Sequence, residues 1–412
     1  MELRPGYKLT EVGVIPEDWD VSTVASLAEI RSGGTPSTSR PEFWDGGVPW
    51  CTPTDITALR GRRFLVNTSR TISHAGLIAS SAELIPSASI IMTSRATIGE
   101  CAINVTPITT NQGFKNLTPN SNIDHAFFYY LITSQKHALR LLAAGSTFLE
   151  IGKRELSGFV LASPSNKIEQ SAIATALSDA DSLIESLEDL IAKKRQIKQG
   201  AMQELLTGKR RLPGFSGAWE VKQIGQVTDC TSGGTPSTTV SRYWGGSIRW
   251  MSSGELNLKM ISEVEGRITE AGHQNSSAKM VPANCVLVGL AGQGKTRGTV
   301  AMNLVPLCTN QSIASIFPNS SFVPKYLYYH LDSRYEELRD LSTGEGGRGG
   351  LNLKIIRAVR VPFPALPEQS AIATVLSDMD AELDALTAKL AKARQIKQGM
   401  MQELLTGRIR LI

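Results

Sequence analysis

EQSAIATALSDADSLIESLEDLIAKKRQIKQGAMQELLTGKRRL, from Glu169 to Leu212, returns as EQSAIATVLSDMDAELDALTAKLAKARQIKQGMMQELLTGRIRL, from Glu368 to Leu411. The two stretches agree at roughly two thirds of about 44 positions, so the chain is an internal duplication. Within them Ile173, Leu177, Ile184, Leu187 and Ile191 recur at spacings of three, four and seven, as do Ile372, Leu376, Leu383, Leu386 and Leu390. That is a heptad seam on a helix. Each helix runs to a glycine stop, Thr207-Gly208 or Thr406-Gly407. Either stripe is too narrow to form a core alone, so the two are expected to pair, most simply antiparallel about a pseudo-twofold axis. Helices of roughly 35 residues would then form a spacer about 50 Å long between the parts that precede them.

Those preceding parts repeat as well. SGGTPST stands at Ser32–Thr38 and at Ser232–Thr238, Trp44 and Trp50 return as Trp244 and Trp250, and Thr110-Asn111-Gln112 matches Thr309-Asn310-Gln311. Short β-branched runs cut by Gly, Pro, Ser and Asn predict an α/β (α+β) domain in each half. Helical spacing follows near His125–Leu142 and Pro324–Leu341. The expected layout is a domain over 1–165, a helix over 166–212, a second domain over 213–365 and a second helix over 366–412. The ends match too: Leu3-Arg4-Pro5-Gly6-Tyr7 resembles Arg211-Leu212-Pro213-Gly214-Phe215, as if the chain were a permuted ring.

Composition narrows the function classes only modestly. The chain has 412 residues, a net charge of +5, 41% hydrophobic and 20% charged residues, which is ordinary for a globular protein and compatible with nucleic acid. No run approaches the ~18 apolar residues of a membrane span, and the first residues contain no secretory-type apolar stretch, so a cytoplasmic location is expected. The five scattered cysteines read as free thiols. The five histidines show no metal-ligand spacing, and no nucleophile elbow, paired carboxylates or methyl-donor loop stands out. Gly289–Thr296 fits GxxxxGK[ST], but Thr299-Val300-Ala301-Met302 follows as a strand where a phosphate cradle needs a helix. It reads as a basic loop near a nucleic-acid backbone.

Shared residues cannot discriminate between two targets. SGGTPST reads first as a fixed turn, with Thr35, Ser37, Thr235 and Ser237 as its contact candidates, and the tryptophan pairs read as core. Asn111-Gln112 and Asn310-Gln311 could contact adenine edges or satisfy buried backbone. Readout is expected from unshared loops: Arg60, Arg62, Arg63, Arg70 and Arg95 in the first half, and Lys259, Lys295, Arg297 and Arg348 in the second. Arginine pairs bidentately with guanine, and glycine lets backbone approach phosphate.

The duplicated SGGTPS…(Y/F)W…G…W block, the TNQ(G/S) segment, the (P/I)EQ-x-x-IA entry to each helix and the QELLTG-x-x-R close together resemble the specificity subunit of type I restriction-modification enzymes. The resemblance covers essentially the whole chain. It implies a non-catalytic, phage-defence DNA-binding component with two target recognition domains, each reading one half of a split double-stranded DNA target. The helices would set the gap and dock two modification (methyltransferase) subunits, with restriction (translocase/nuclease) subunits joining them. S-adenosylmethionine, ATP and magnesium would belong to those partners, and this chain would hold no cofactor, metal or catalytic residue. The rivals are an ATPase built on Gly289–Thr296, a fused nuclease, and a DNA-binding scaffold that works without restriction subunits.

Overall fold

The computed structural model describes residues 4–143, 149–292, 294–341 and 350–411. It divides into two compact units, Met1–Asp189 with Thr387–Ile412, and Leu190–Leu386. The two long helices are Lys167–Leu205 and Leu366–Leu404. Each gives its first half to one unit and its second half to the other.

In the first unit a five-stranded sheet runs in the order Ala28–Ser32, Phe114–Pro119, Ile90–Thr93, Cys101–Asn104, Phe64–Leu65. Its inner strands are buried on both faces, which is why they read as unbroken apolar runs rather than alternating ones. One face carries the helix His125–Ser134, whose Asp124 caps the amides of Ala126 and Phe127 and whose residues Phe127 to Ile132 are all buried. The other face packs on a smaller sheet built around Trp44–Cys51. The helix expected near His125–Leu142 is two pieces, His125–Ser134 and Lys136–Leu141. The turn at Gln135 lets the second piece bury Leu139 while Lys136 pairs with Glu100. The helix expected near Pro324–Leu341 breaks likewise, into Pro324–Asp332 and Tyr335–Asp340.

The second unit repeats this topology. Its five-stranded sheet runs Cys230–Ser232, Ile313–Ile316, Val286–Gly289, Val300–Asn303, Met260–Ile261. A hairpin, Tyr7–Thr10 with Gly13–Pro16, belongs to the first unit, while the second has only a short loop between Phe215 and Trp219.

Within each unit the halves of the long helices run antiparallel. In the first, Asp181 pairs with Lys397 (2.5 Å) and Glu188 with Arg394 (2.6 Å). In the second, Lys194 pairs with Glu382 (2.6 Å) and Lys198 with Asp380. The lysine of each IKQG motif makes the same clamp: Tyr130 donates to Asp181 (2.6 Å) and Tyr329 to Asp380 (2.7 Å), each ring 5.4 Å from the lysine ammonium. Ile173 and Leu177 are buried in the first unit's core with Phe127, Leu404 and Leu405, and Ile372 and Leu376 match them beside Leu205 and Leu206. Leu187 and Ile191 are also buried. Ile184, Leu383, Leu386 and Leu390 are half-buried.

The EQ at each helix entry fastens helix to domain. Gln170 accepts from the amide of Asp124 (2.8 Å) and donates to the Pro164 carbonyl (2.9 Å); Gln369 does the same with Val323 and Pro364. Glu169, 2% exposed, takes Nε (2.5 Å) and Nη2 (2.8 Å) of Arg410 and the Trp19 indole N–H (3.4 Å). Glu368 takes Arg211 and Trp219 in the same way. The matching chain ends are likewise in contact, for Tyr7 donates to the Gly407 carbonyl at 2.9 Å.

Candidate nucleic-acid interface

Three sheet strands of the first unit open their loops at one end. Ser32 pairs with Lys115 and Thr93 with Phe114, so the loops 33–38, 94–100 and 111–113 leave side by side. Backbone bonds join them: Gly34 donates to Thr110 (2.8 Å), Asn111 to Cys51 (3.1 Å) and Ser94 to Gly113 (2.8 Å). The glycines are required by this close approach, since a Cβ on Gly33 would lie 2.0 Å from the Asn111 carbonyl and one on Gly34 2.4 Å from Ala82.

The tryptophans pin the SGGTPST turn. The Trp50 indole donates to the Gly34 carbonyl (2.9 Å) and the Trp44 indole to that of Ser37 (3.1 Å), with the rings edge to face at 5.0 Å. Trp250, Trp244, Gly234 and Ser237 repeat this at 2.8, 3.1 and 5.0 Å. Asn111 and Asn310 each accept from the amide two residues on, a structural use. The glutamines differ. Gln112 and Gln311 are exposed, their amide oxygens accepting from Thr35 (2.5 Å) and Thr235 (2.6 Å). Ser37 bonds Ser39 and Ser237 bonds Thr239, both at 2.9 Å. Each unit thus presents a neutral, hydrogen-bonding platform, and of the two amides left open between adenine contact and a structural role, the asparagine is structural while the glutamine is exposed on the platform. What the sequence left unflagged is Ser39 and Thr239, which join the platform only through the turn.

Around this common platform the two units diverge. In the first, Arg70 stacks on Trp44 with its guanidinium 3.9 Å from the ring centroid. In the second, Gly266, just before the strand Arg267–Ile268, occupies the corresponding position, and a Cβ there would lie 2.2 Å from the Trp250 carbonyl. Arg95 donates from Nε to Glu150 (2.7 Å), and Lys115 reaches the other oxygen of that carboxylate (3.3 Å). Burial works against the Glu150 charge, but the Arg95 hydrogen bond and the Lys115 charge outweigh it and hold the carboxyl below its usual range.

In the second unit the loop Gly289–Thr299 closes on itself, Gly298 donating to Gly289 and Thr299 to Thr296. Tyr335 and Arg339 donate to the carbonyls of Lys295 and Gly294, both at 3.0 Å. The strand Val300–Asn303 follows it, where a phosphate loop is followed directly by a helix. Lys295 is exposed and, with Asn257, Lys259 and Asp332, lines an open cleft of about 590 Å³.

The remaining candidates stand elsewhere or in other company. Arg62 pairs with Asp189 (2.5 Å), while Arg63 donates to Tyr130 (2.8 Å) and Ser178. Both are turned onto the first long helix. Arg60 is exposed with φ of 52°, Lys259 pairs with Asp332 (2.7 Å), and Arg297 is half-buried. Arg348 lies outside the described residues. Among the described residues no group of three or more His, Cys, Asp or Glu could hold a metal ion, and no helix is long and apolar enough to cross a membrane.

Two copies of one scaffold, each carrying its own loops at the same sheet end, define a duplicated recognition protein. The family model for the type I restriction modification DNA specificity domain matches twice, over residues 16–197 and 217–396. The chain therefore belongs to the family of type I restriction-modification DNA specificity subunits, with two tandem recognition domains. It is 28% identical over 321 residues to the MjaIX specificity subunit of Methanocaldococcus jannaschii, covering 73% of this chain and 72% of that one. It is 21% identical over 421 residues to the MjaVIII specificity subunit of the same organism, covering 96% and 94%. The crystal structure of the type I S subunit from M. genitalium superposes with a TM-score of 0.61 at 17% identity, over 98% of this chain and 99% of that one. As a member of this family the chain is a non-catalytic DNA-recognition component.

Proposed function

We propose that each unit reads one half of a split, asymmetric double-stranded DNA sequence, and that the two half-sites differ. The observation that carries this is the pairing of identical platforms (Thr35–Gln112 and Thr235–Gln311) with non-equivalent flanking loops: Arg95 and Glu150 in one unit, Gly289–Thr299 in the other. A common platform can grip the duplex in one way, while different loops select different bases.

The long helices set the gap between half-sites and dock two methyltransferase subunits, which restriction subunits then join. Leu183, Leu190, Ile197 and Ile396 support such docking, each being more than a third exposed on a helix face. S-adenosylmethionine, ATP and magnesium act in those partners, and the complex works in the cytoplasm, where its DNA lies. The test is a domain exchange. Residues from about Trp19 to Pro164 are replaced by the equivalent region of a relative, and methylated positions are mapped across the host genome. One half-site should change and the other persist. Both changing together would refute independent reading.

A further inference from the structure

We propose that Arg95, held by Glu150, reads a guanine in the half-site of the first unit. This rests on the reading of that unit as a half-site reader, and adds the residue and the base.

Of the first unit's arginine candidates, Arg95 alone combines a place at the platform end with a carboxylate that fixes its direction. Arg62 and Arg63 are turned onto the long helix, Arg70 is stacked on Trp44, and Arg60 sits at a tight turn. Arg95 directly follows Ser94, whose amide is bonded to Gly113, the residue after Gln112. Its Nε is taken by Glu150 at 2.7 Å, and Arg95 and Glu150 form a β-bridge, so backbone and side chain are both held. Its two terminal amino groups have no partner among the described residues, and the side chain is 44% exposed. What remains presented is a planar two-donor fork, which matches the O6 and N7 acceptors of guanine in the major groove.

The charge balance favours a base over a phosphate. Glu150 lies between two cations, and Lys115 beneath it is 6% exposed, so the cluster's net charge is +1 with the carboxylate at its centre. A residue recruited for phosphate attraction gains nothing from a neutralising neighbour. One recruited to point a fork gains its direction. The cluster is also private to this unit. Lys115 pairs with Ser32 and Met92, whereas the corresponding position of the second unit, facing Ser232 and Val288, is Ala314.

The experiment uses the whole chain assembled with its methyltransferase partners, with the half-site of the first unit assigned by the domain exchange above. Methylome mapping and competition binding are then run on Arg95→Ala, Arg95→Lys and Glu150→Gln. Arg95→Ala should relax one G·C position of that half-site, with a loss of discrimination of about 5- to 150-fold. The other half-site and the spacer should stay as they are. Glu150→Gln should lower discrimination at that same position, because it weakens the hold on the fork. Arg95→Lys should fail to restore it fully, because an ammonium is not a planar fork. Three results overturn the proposal: unchanged discrimination at every position; affinity falling equally for all sequences, with the salt slope smaller by about 1, which marks a phosphate contact; or a relaxed position in the other half-site. Failure of the domain exchange itself would instead strike the half-site reading.

Discussion

Arg410→Met should destabilise the first unit and leave the second alone. The Glu169 carboxylate is 2% exposed and is held by two N–H groups of Arg410, with the Trp19 indole more distant at 3.4 Å. Methionine fills much of the same space but donates nothing, so a buried carboxylate is left with one long hydrogen bond. Breaking a buried pair by removing one partner costs about 3–5 kcal/mol. Arg410 is itself 21% exposed and also serves Asp18, which is largely in water, so a figure near the lower end, about 3 kcal/mol, is expected. For units of 150–250 residues each kcal/mol moves the midpoint by about 2–4 °C, giving a drop of about 6–12 °C. The assay is differential scanning calorimetry of the whole chain, with hydrogen exchange assigning each transition to its unit. Glu169→Gln in the Arg410→Met background should recover part of the loss, because the stranded group is then neutral. Arg211→Met should act in the same direction on the second unit through Glu368. A drop below about 2 °C for Arg410→Met, or no recovery in the double variant, would refute the reasoning that an uncompensated buried charge sets the cost.

Acid should strike the second unit first. Burial lowers the His330 pKa to about 3 from 6.5, so its stabilising contribution is present above about pH 6.5 and is lost as the pH falls toward 3, where the unfolded state binds a proton that the folded state refuses. His330→Leu, which copies the buried Leu131 of the equivalent helix, should flatten the second unit's stability over that range in pH-dependent denaturation; an unchanged slope would count against it. Inserting seven residues after Leu187 and seven after Leu386 keeps the seam in phase and adds about 10 Å, so methylome mapping should find the spacer longer by up to about 3 base pairs with both half-sites intact. A stable complex with unchanged spacing would place the ruler elsewhere. Calorimetry should detect no ATP binding to the purified chain, and Lys295→Ala should leave ATP hydrolysis by the assembled complex unaltered. Saturable binding lost on that substitution would restore Gly289–Thr296 as a phosphate site.

The duplication, the two domains and the two long helices were legible in the sequence because each rests on local pattern: repeated motifs, heptad spacing, glycine stops. That a strand and not a helix follows Lys295-Thr296 was legible too, in the β-branched residues of Thr299-Val300. Which polar residues meet was not legible, because that depends on contacts between segments far apart in the chain. Arg62, Arg63 and Arg95 look alike as arginines in loops. Only the fold turns the first two onto a helix and sets the third beside Glu150, 55 residues away. The EQ and QELLTG-x-x-R motifs were both visible as repeats, but their partnership was not. Glu169 meets Arg410 and Arg211 meets Glu368 because in each unit the start of one long helix lies beside the end of the other. Periodicity shows which face of a helix is apolar. The pairing of charges across two antiparallel helices follows from their register, and only the tertiary structure fixes that.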